Sequence, residues 1–127
     1  MAIVVDASVV IDLALGDTVV DAAVGMHELH APVTIDAEIL HALRRRWIAR
    51  NVTGSEVVDL IAMVQRMWIT RHSVQPFVNR VWSLRRNITA YDAAYVALAE
   101  SLDVPLLTRD WRLAHSAGHT AAIEYIA

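Results

Sequence analysis

Short runs of β-branched and aliphatic residues alternate along this chain with longer stretches whose apolar positions recur every three or four residues. Ile3-Val4-Val5, closed by Asp6, has the continuous hydrophobicity of a strand buried on both faces. Leu29–Val33 predicts a second strand. Leu106-Leu107 predicts another, with Pro105 at its start, where a missing donor matters least. Ile69–Val74 and Ile123–Ile126 predict two further short strands.

The intervening stretches predict helices. Two short ones, about Ala7–Leu15 and Asp17–Glu28, are divided by Gly16. Thr34 opens a helix to about Arg50, with Ile35, Ile39, Leu43 and Trp47 as a buried stripe. Thr53-Gly-Ser-Glu56 has capping-box spacing, and Val57, Leu60, Ile61, Val64 and Trp68 give the helix that follows its core face. Pro76 fits the start of a helix to about Arg86. Thr89-Ala-Tyr-Asp92 opens an alanine-rich helix able to pack closely on a sheet, and Asp110–Ala117 reads as a helical turn stopped by Gly118. Strands alternating with helices imply one α/β domain over residues 1–127, a three-layer α/β/α sandwich on a mainly parallel sheet of four to five strands.

Composition narrows the chemistry. With 56% hydrophobic and 20% charged residues in 127, the chain can bury a proper core, which excludes disorder and coiled-coil architecture. Cysteine is absent, which removes disulfides, thiolate metal sites and cysteine nucleophiles. All 11 basic residues are arginines, so Walker A phosphate binding and Schiff-base chemistry are excluded as well. The four glycines make no GxGxxG turn, and no serine stands in GxSxG. A net charge of -3 gives no overall attraction to nucleic acid, so any such binding requires a local basic patch. The longest apolar run, Ala93 to Ala99, is far too short to span a bilayer, and Asp6 interrupts an N-terminal stretch without a basic segment. The expectation is a cytoplasmic chain with no membrane association.

Carboxylates then become the centre of interest. In a βαβ unit, strand ends and helix starts share one edge of the sheet. Asp6 follows the first strand, and Glu38 lies near the start of the helix after the second. Asp92 opens the helix before the Leu106 strand, and Asp110 follows that strand by two residues. All four therefore project to the carboxyl edge, where open α/β sheets bind ligands. Two unit charges about 5 Å apart repel by about 0.8 kcal/mol in water and by about 3 kcal/mol at an effective dielectric of 20. A divalent cation relieves that repulsion, and an all-oxygen donor set suits Mg²⁺ or Mn²⁺. Hard cations with open positions suit phosphodiester hydrolysis. Helix capping is the competing reading, because each acid also lies near a helix start.

Four segments carry a resemblance. They are Val4-Val5-Asp6-Ala7-Ser8-Val9-Val10-Ile11-Asp12, Glu38-Ile39-Leu40-His41-Ala42-Leu43-Arg44, Thr89 through Ala99, and Leu106-Leu107-Thr108-Arg109-Asp110. In order and spacing they resemble the signature of PIN-domain ribonucleases, nearest to the VapC toxins of toxin–antitoxin pairs. The resemblance implies that Asp6, Glu38, Asp92 and Asp110 form an acidic quartet holding Mg²⁺. It implies that Ser8 supports the first aspartate and that Thr108 orients the strand end beside Asp110. It further implies a dimeric endoribonuclease cutting single-stranded or loop RNA, partnered by a VapB-type antitoxin. Trp111 and Arg112 stand where the family often carries a further acidic or amide residue.

Arg44-Arg45-Arg46 with Arg50, Arg85-Arg86, and Arg109 with Arg112 are the candidate phosphate contacts. Arg109 and Arg112 flank Asp110 and are the stronger substrate-binding candidates, grouped with Ser8 and Thr108. Two successive helices, about 35–50 and 55–68, exceed what one sheet face must bury, which predicts a groove or dimer surface; in the family this hairpin receives the antitoxin's helix. His115 and His119 lack the surroundings of a zinc motif, and His41 is placed near the acidic pocket. Three other functions fit the same residues: a non-catalytic PIN-like module binding RNA or protein, a Mg²⁺ phosphohydrolase acting on DNA or nucleotides, and a purely structural α/β domain.

Overall fold

A computed structural model describes residues 1–127. Five strands, β1 (Ala2–Val5), β2 (Glu28–Pro32), β3 (Ile69–His72), β4 (Leu106–Thr108) and β5 (Ile123–Tyr125), form one sheet in the order β3-β2-β1-β4-β5. Every pairing is parallel, so the sheet is wholly rather than mainly so. Val4, Val5, Leu106 and Leu107 in its centre are all but inaccessible, and each such side chain contributes about 1.5–3 kcal/mol on burial.

The helices are α1 (Ala7–Ala14), α2 (Thr18–Val24), α3 (Ile35–Ile48), α4 (Gly54–Arg66), α5 (Val78–Ser83), α6 (Ala90–Leu102) and α7 (Trp111–Ala114), with a 3-10 turn at Gln75–Phe77. Right-handed connections put α1 to α4 on one face of the sheet and α5 to α7 on the other. Packing agrees, because α1 lies against α2, α3 and α4, while α5 lies against α6. The chain steps outward from β1 to β3 and then returns across the sheet to β4. That reversal opens a crevice at the carboxyl ends of β1 and β4.

Several sequence expectations are corrected. The helix expected over Asp17–Glu28 ends at Val24, because Gly25 takes a positive φ and the chain turns into β2. The stretch from Pro76 to Arg86 is a 3-10 turn followed by a short α5. Trp47 is 54% exposed and Trp68 92% exposed, so neither belongs to a buried stripe. A four-residue repeat drifts by about 40° per step on a helix, and Trp47 has left the core face after three steps. At Trp68 the cause differs: α4 ends at Arg66, and Met67 is already extended.

Candidate active site

Asp6 leaves the end of β1 and caps α1, its Oδ1 accepting from the Val9 amide at 3.1 Å. The Ser8 hydroxyl donates to the same oxygen at 2.6 Å, and the Thr108 hydroxyl donates to Oδ2. Both hydroxyls also accept a backbone amide from the end of β4. Ser8 Oγ takes the Arg109 amide at 3.2 Å, and Thr108 Oγ1 takes the Asp110 amide at 3.0 Å. Two short relays thus fasten the β4 end to both oxygens of one carboxylate and fix Asp6 beside Asp110. Burial pushes the Asp6 carboxyl above its ordinary value and the Asp110 charge adds to that, opposed by the hydrogen bonds from Ser8, Thr108 and Val9.

Asp110 is exposed and caps α7 by accepting the Arg112 amide at 2.9 Å. Asp92 occupies the first turn of α6. There the Thr89 hydroxyl accepts the Asp92 amide at 3.2 Å, but no reciprocal bond completes a capping box. Its carboxyl is raised by burial, then by the charges of Asp110 and Asp6. Capping and site membership therefore coincide for Asp6 and Asp110, whereas Thr89 takes the capping role at α6 and leaves the Asp92 carboxylate free of it.

Glu38 lies in the first turn of α3, and its Oε2 accepts the Tyr95 hydroxyl at 2.5 Å. Its Oε1 is buried without a partner. Burial raises the Glu38 carboxyl, and the charges of Asp92 and Asp6 raise it further, while Tyr95 opposes them. The Thr34 hydroxyl also favours the charged form, yet it too is buried with no hydrogen bond of acceptable geometry. The Tyr95 phenol is pushed far above its ordinary value by burial and by Glu38.

These four acids line one open cleft of about 1090 Å³, together with Ser8, His41, Arg45, Arg46, Asn51 and Tyr91. A second cleft shares Asp92 and Asp110 and runs on to Arg85, Arg86, Asn87 and Arg112. Arg112 is therefore where the sequence put it. Arg109 is not. Its Nη1 is 3.1 Å from Asp12 Oδ2 and 2.6 Å from Asp17 Oδ2, and its Nη2 donates to the Ala127 carbonyl at 2.8 Å. The guanidinium points along α1 and α2 and lines neither cleft. Thr108 is inaccessible, so it positions Asp6 rather than meeting a substrate, and the half-buried Ser8 does the same. Tyr95 was not singled out from sequence. The available signal was its place three residues after Asp92, on the same side of α6.

The donor set fits a hard divalent cation. All four side chains offer oxygen, no salt bridge compensates any of them, and one carboxylate oxygen is buried unpartnered. No three acidic or histidine side chains already stand together at coordination spacing. Mg²⁺ commonly keeps several of its waters, so carboxylates not already at coordination spacing would meet it directly or through those waters.

Comparison with known proteins agrees with this architecture. The PIN domain family profile matches residues 3–118. Ribonuclease VapC12 of Mycobacterium tuberculosis is 39% identical over 98% of this chain and 99% of its own. Ribonuclease VapC9 of the same organism is 37% identical over 87% of each chain. The crystal structure of PAE2754 from Pyrobaculum aerophilum superposes with a TM-score of 0.67, covering 97% of this chain and 89% of that one at 21% identity, which supports the fold. The chain belongs to the PIN-domain family, in its VapC group.

Proposed function

We propose that this chain is a Mg²⁺-dependent endoribonuclease, with Mn²⁺ able to substitute, acting on single-stranded or loop RNA as the toxin of a toxin–antitoxin pair. One observation carries the reading: four carboxylates without a salt-bridge partner meet in a cleft whose two arms are lined by arginines. Relatives named ribonucleases, matched over nearly the whole chain, support it.

A bound Mg²⁺ would lower the pKa of a coordinated water and neutralise charge on the phosphate. Asp6, Asp92 and Asp110 are the residues to hold it. Asp6 is the most rigidly placed of them, since both its oxygens are already oriented by donors. Glu38 presents Oε1 to the ion or to its water. Arg45 and Arg46 on one arm, and Arg85, Arg86 and Arg112 on the other, supply cations for phosphates on both sides of the scissile bond. A strand of RNA needs both arms, because the acidic centre alone repels it.

The same reading assigns a cytoplasmic homodimer and a VapB-type partner. Val74, Val78, Val81, Trp82 and Ile88 line an apolar cleft of about 320 Å³, which supports pairing of two copies. Trp47, Ile48, Val58 and Trp68 leave apolar surface exposed along and beyond the α3–α4 hairpin, which suits an antitoxin helix laid in a groove.

Digestion of RNA, single-stranded DNA and nucleotides, each with Mg²⁺ and with chelator, tests the activity. Cleavage of RNA alone, lost with chelator and in Asp92→Asn, is the expected result. Metal-independent cleavage, or equal attack on DNA, contradicts it. No cleavage by the wild-type chain leaves the non-catalytic binding module as the correct reading.

A further inference from the structure

We propose that Tyr95 makes Glu38 a single-oxygen donor, and that this sets the preference of the acidic centre for Mg²⁺ over larger divalent cations. The inference rests on the metal-dependent reading of the same site. A carboxylate has two equivalent oxygens and can grip an ion with either or both. Here the equivalence is broken: the Tyr95 hydroxyl donates to Oε2 at 2.5 Å, while Oε1 is buried with no partner. Tyr95 is itself only 1% exposed, enclosed in an α6 stretch buried from Ala93 to Ala99, so its ring has no room to swing away. The Thr34 hydroxyl, four residues before Glu38, is likewise buried with no hydrogen-bond partner.

Ion chemistry supplies the consequence. Mg²⁺ demands near-octahedral geometry with short, single-oxygen contacts, whereas Ca²⁺ accepts six to eight oxygens and tolerates bidentate carboxylates. With one lone pair of Oε2 taken by Tyr95, Glu38 favours the first kind of contact over the second. Tyr95 is thus a positioning residue that acts on the ion through Glu38. Outer partners of this kind commonly change metal affinity by about 10–100-fold when removed.

The test uses Tyr95→Phe, which keeps the ring and removes only the hydroxyl. Mn²⁺ binding to the full chain is followed by the electron paramagnetic resonance of the free ion, with Mg²⁺ and Ca²⁺ as competitors. In the wild-type chain Mg²⁺ is expected to compete better than Ca²⁺, and Tyr95→Phe should erode that preference by about tenfold. The erosion should vanish when Glu38→Gln is already present, because an amide cannot chelate with two oxygens. An unchanged ratio, or an equal change in the Glu38→Gln background, overturns the role of Tyr95 while the metal site stands. Absence of Mn²⁺ binding to the wild-type chain overturns the metal-dependent reading itself, and this inference with it.

A second measurement needs no variant at Tyr95. Infrared difference spectra of wild type against Glu38→Gln, in Mg²⁺ and then in Ca²⁺, report the separation of the Glu38 carboxylate stretches. A wide separation in both ions supports a single-oxygen contact. A narrow one in Ca²⁺ shows chelation by both oxygens and contradicts the proposal.

Discussion

Two sets of acids in this small molecule are made from the same residues and behave in opposite ways. Glu100 receives two hydrogen bonds from the Arg80 guanidinium, at 2.9 and 2.8 Å, and two more from Thr120, and its carboxyl is lowered to about 2, chiefly by Arg80. Asp17 is lowered by the Val20 amide and then by Arg109. Asp6, Glu38 and Asp92 are raised, with burial as the first cause and neighbouring carboxylates adding to it. The first set is structural and carries its own counter-charge. The second, in which relays of hydroxyls and amides fix Asp6 beside Asp110, is short of positive charge, a deficit that the proposed cation would relieve.

The largest effect should come from Asp92→Asn. RNA cleavage should fall on the order of 100-fold or more, since a ligand for the ion is lost. The metal-free protein should meanwhile gain roughly 0.5–1 kcal/mol, the size of a solvent-screened charge pair, because a repelling carboxylate is gone. Denaturant unfolding with chelator present measures the gain. A loss of stability would place Asp92 in the structural set.

The two arginines beside Asp110 give the next contrast. Arg112→Ala should weaken RNA binding and reduce the salt dependence of the affinity by about 0.7 in logarithmic slope, one phosphate's worth for a single strand. Its unfolding midpoint should move only slightly, because Arg112 offers Asp92 a through-space charge and no salt bridge. Arg109→Ala should do the reverse, lowering the midpoint because Asp12 and Asp17 lose their partner, with the slope unchanged. Equal slopes in both variants would erase the distinction drawn between them.

Acidity separates the sets more gently. For Glu100 the folded carboxyl lies below its ordinary 4.5, so its stabilisation is present above that pH and is lost as pH falls toward about 2. For Asp6, Glu38 and Asp92 the folded value lies above the ordinary 3.8, 4.5 and 3.8, so the folded state holds protons that the unfolded chain has released. Their contribution in the absence of metal therefore declines as pH rises from about 4 into the raised range. Glu100→Gln should remove the low-pH loss, and Asp92→Asn should shrink the decline above it. Unfolding midpoints across pH, taken with chelator, read both.

How far sequence reaches is shown by particular residues. Asp6, Glu38, Asp92 and Asp110 were legible because each lies within a few residues of a strand end or a helix start, and parallel topology sends those points to one edge. β1 and β4 were legible as short β-branched or leucine runs with sharp boundaries. Arg109 was misread because its partners, Asp12 and Asp17, lie on α1 and just before α2, and only the folded spacing of those helices brings three charges together. Trp68 was misread because the stripe continues past the point where the backbone leaves the helix. Tyr95 looked like one more apolar position in α6. Its hydroxyl acquires a role only when α3 delivers Glu38 beside it.

The most direct test of the uncompensated acidic centre is the unfolding midpoint of the metal-free chain at neutral pH as Mg²⁺ is added. Binding to the folded state alone makes stability rise with the logarithm of ion concentration above the dissociation constant. The wild-type midpoint should climb in this way while that of Asp92→Asn stays nearly flat. A wild-type midpoint indifferent to Mg²⁺, or one that climbs equally in the variant, contradicts a shared ion at Asp6, Glu38, Asp92 and Asp110.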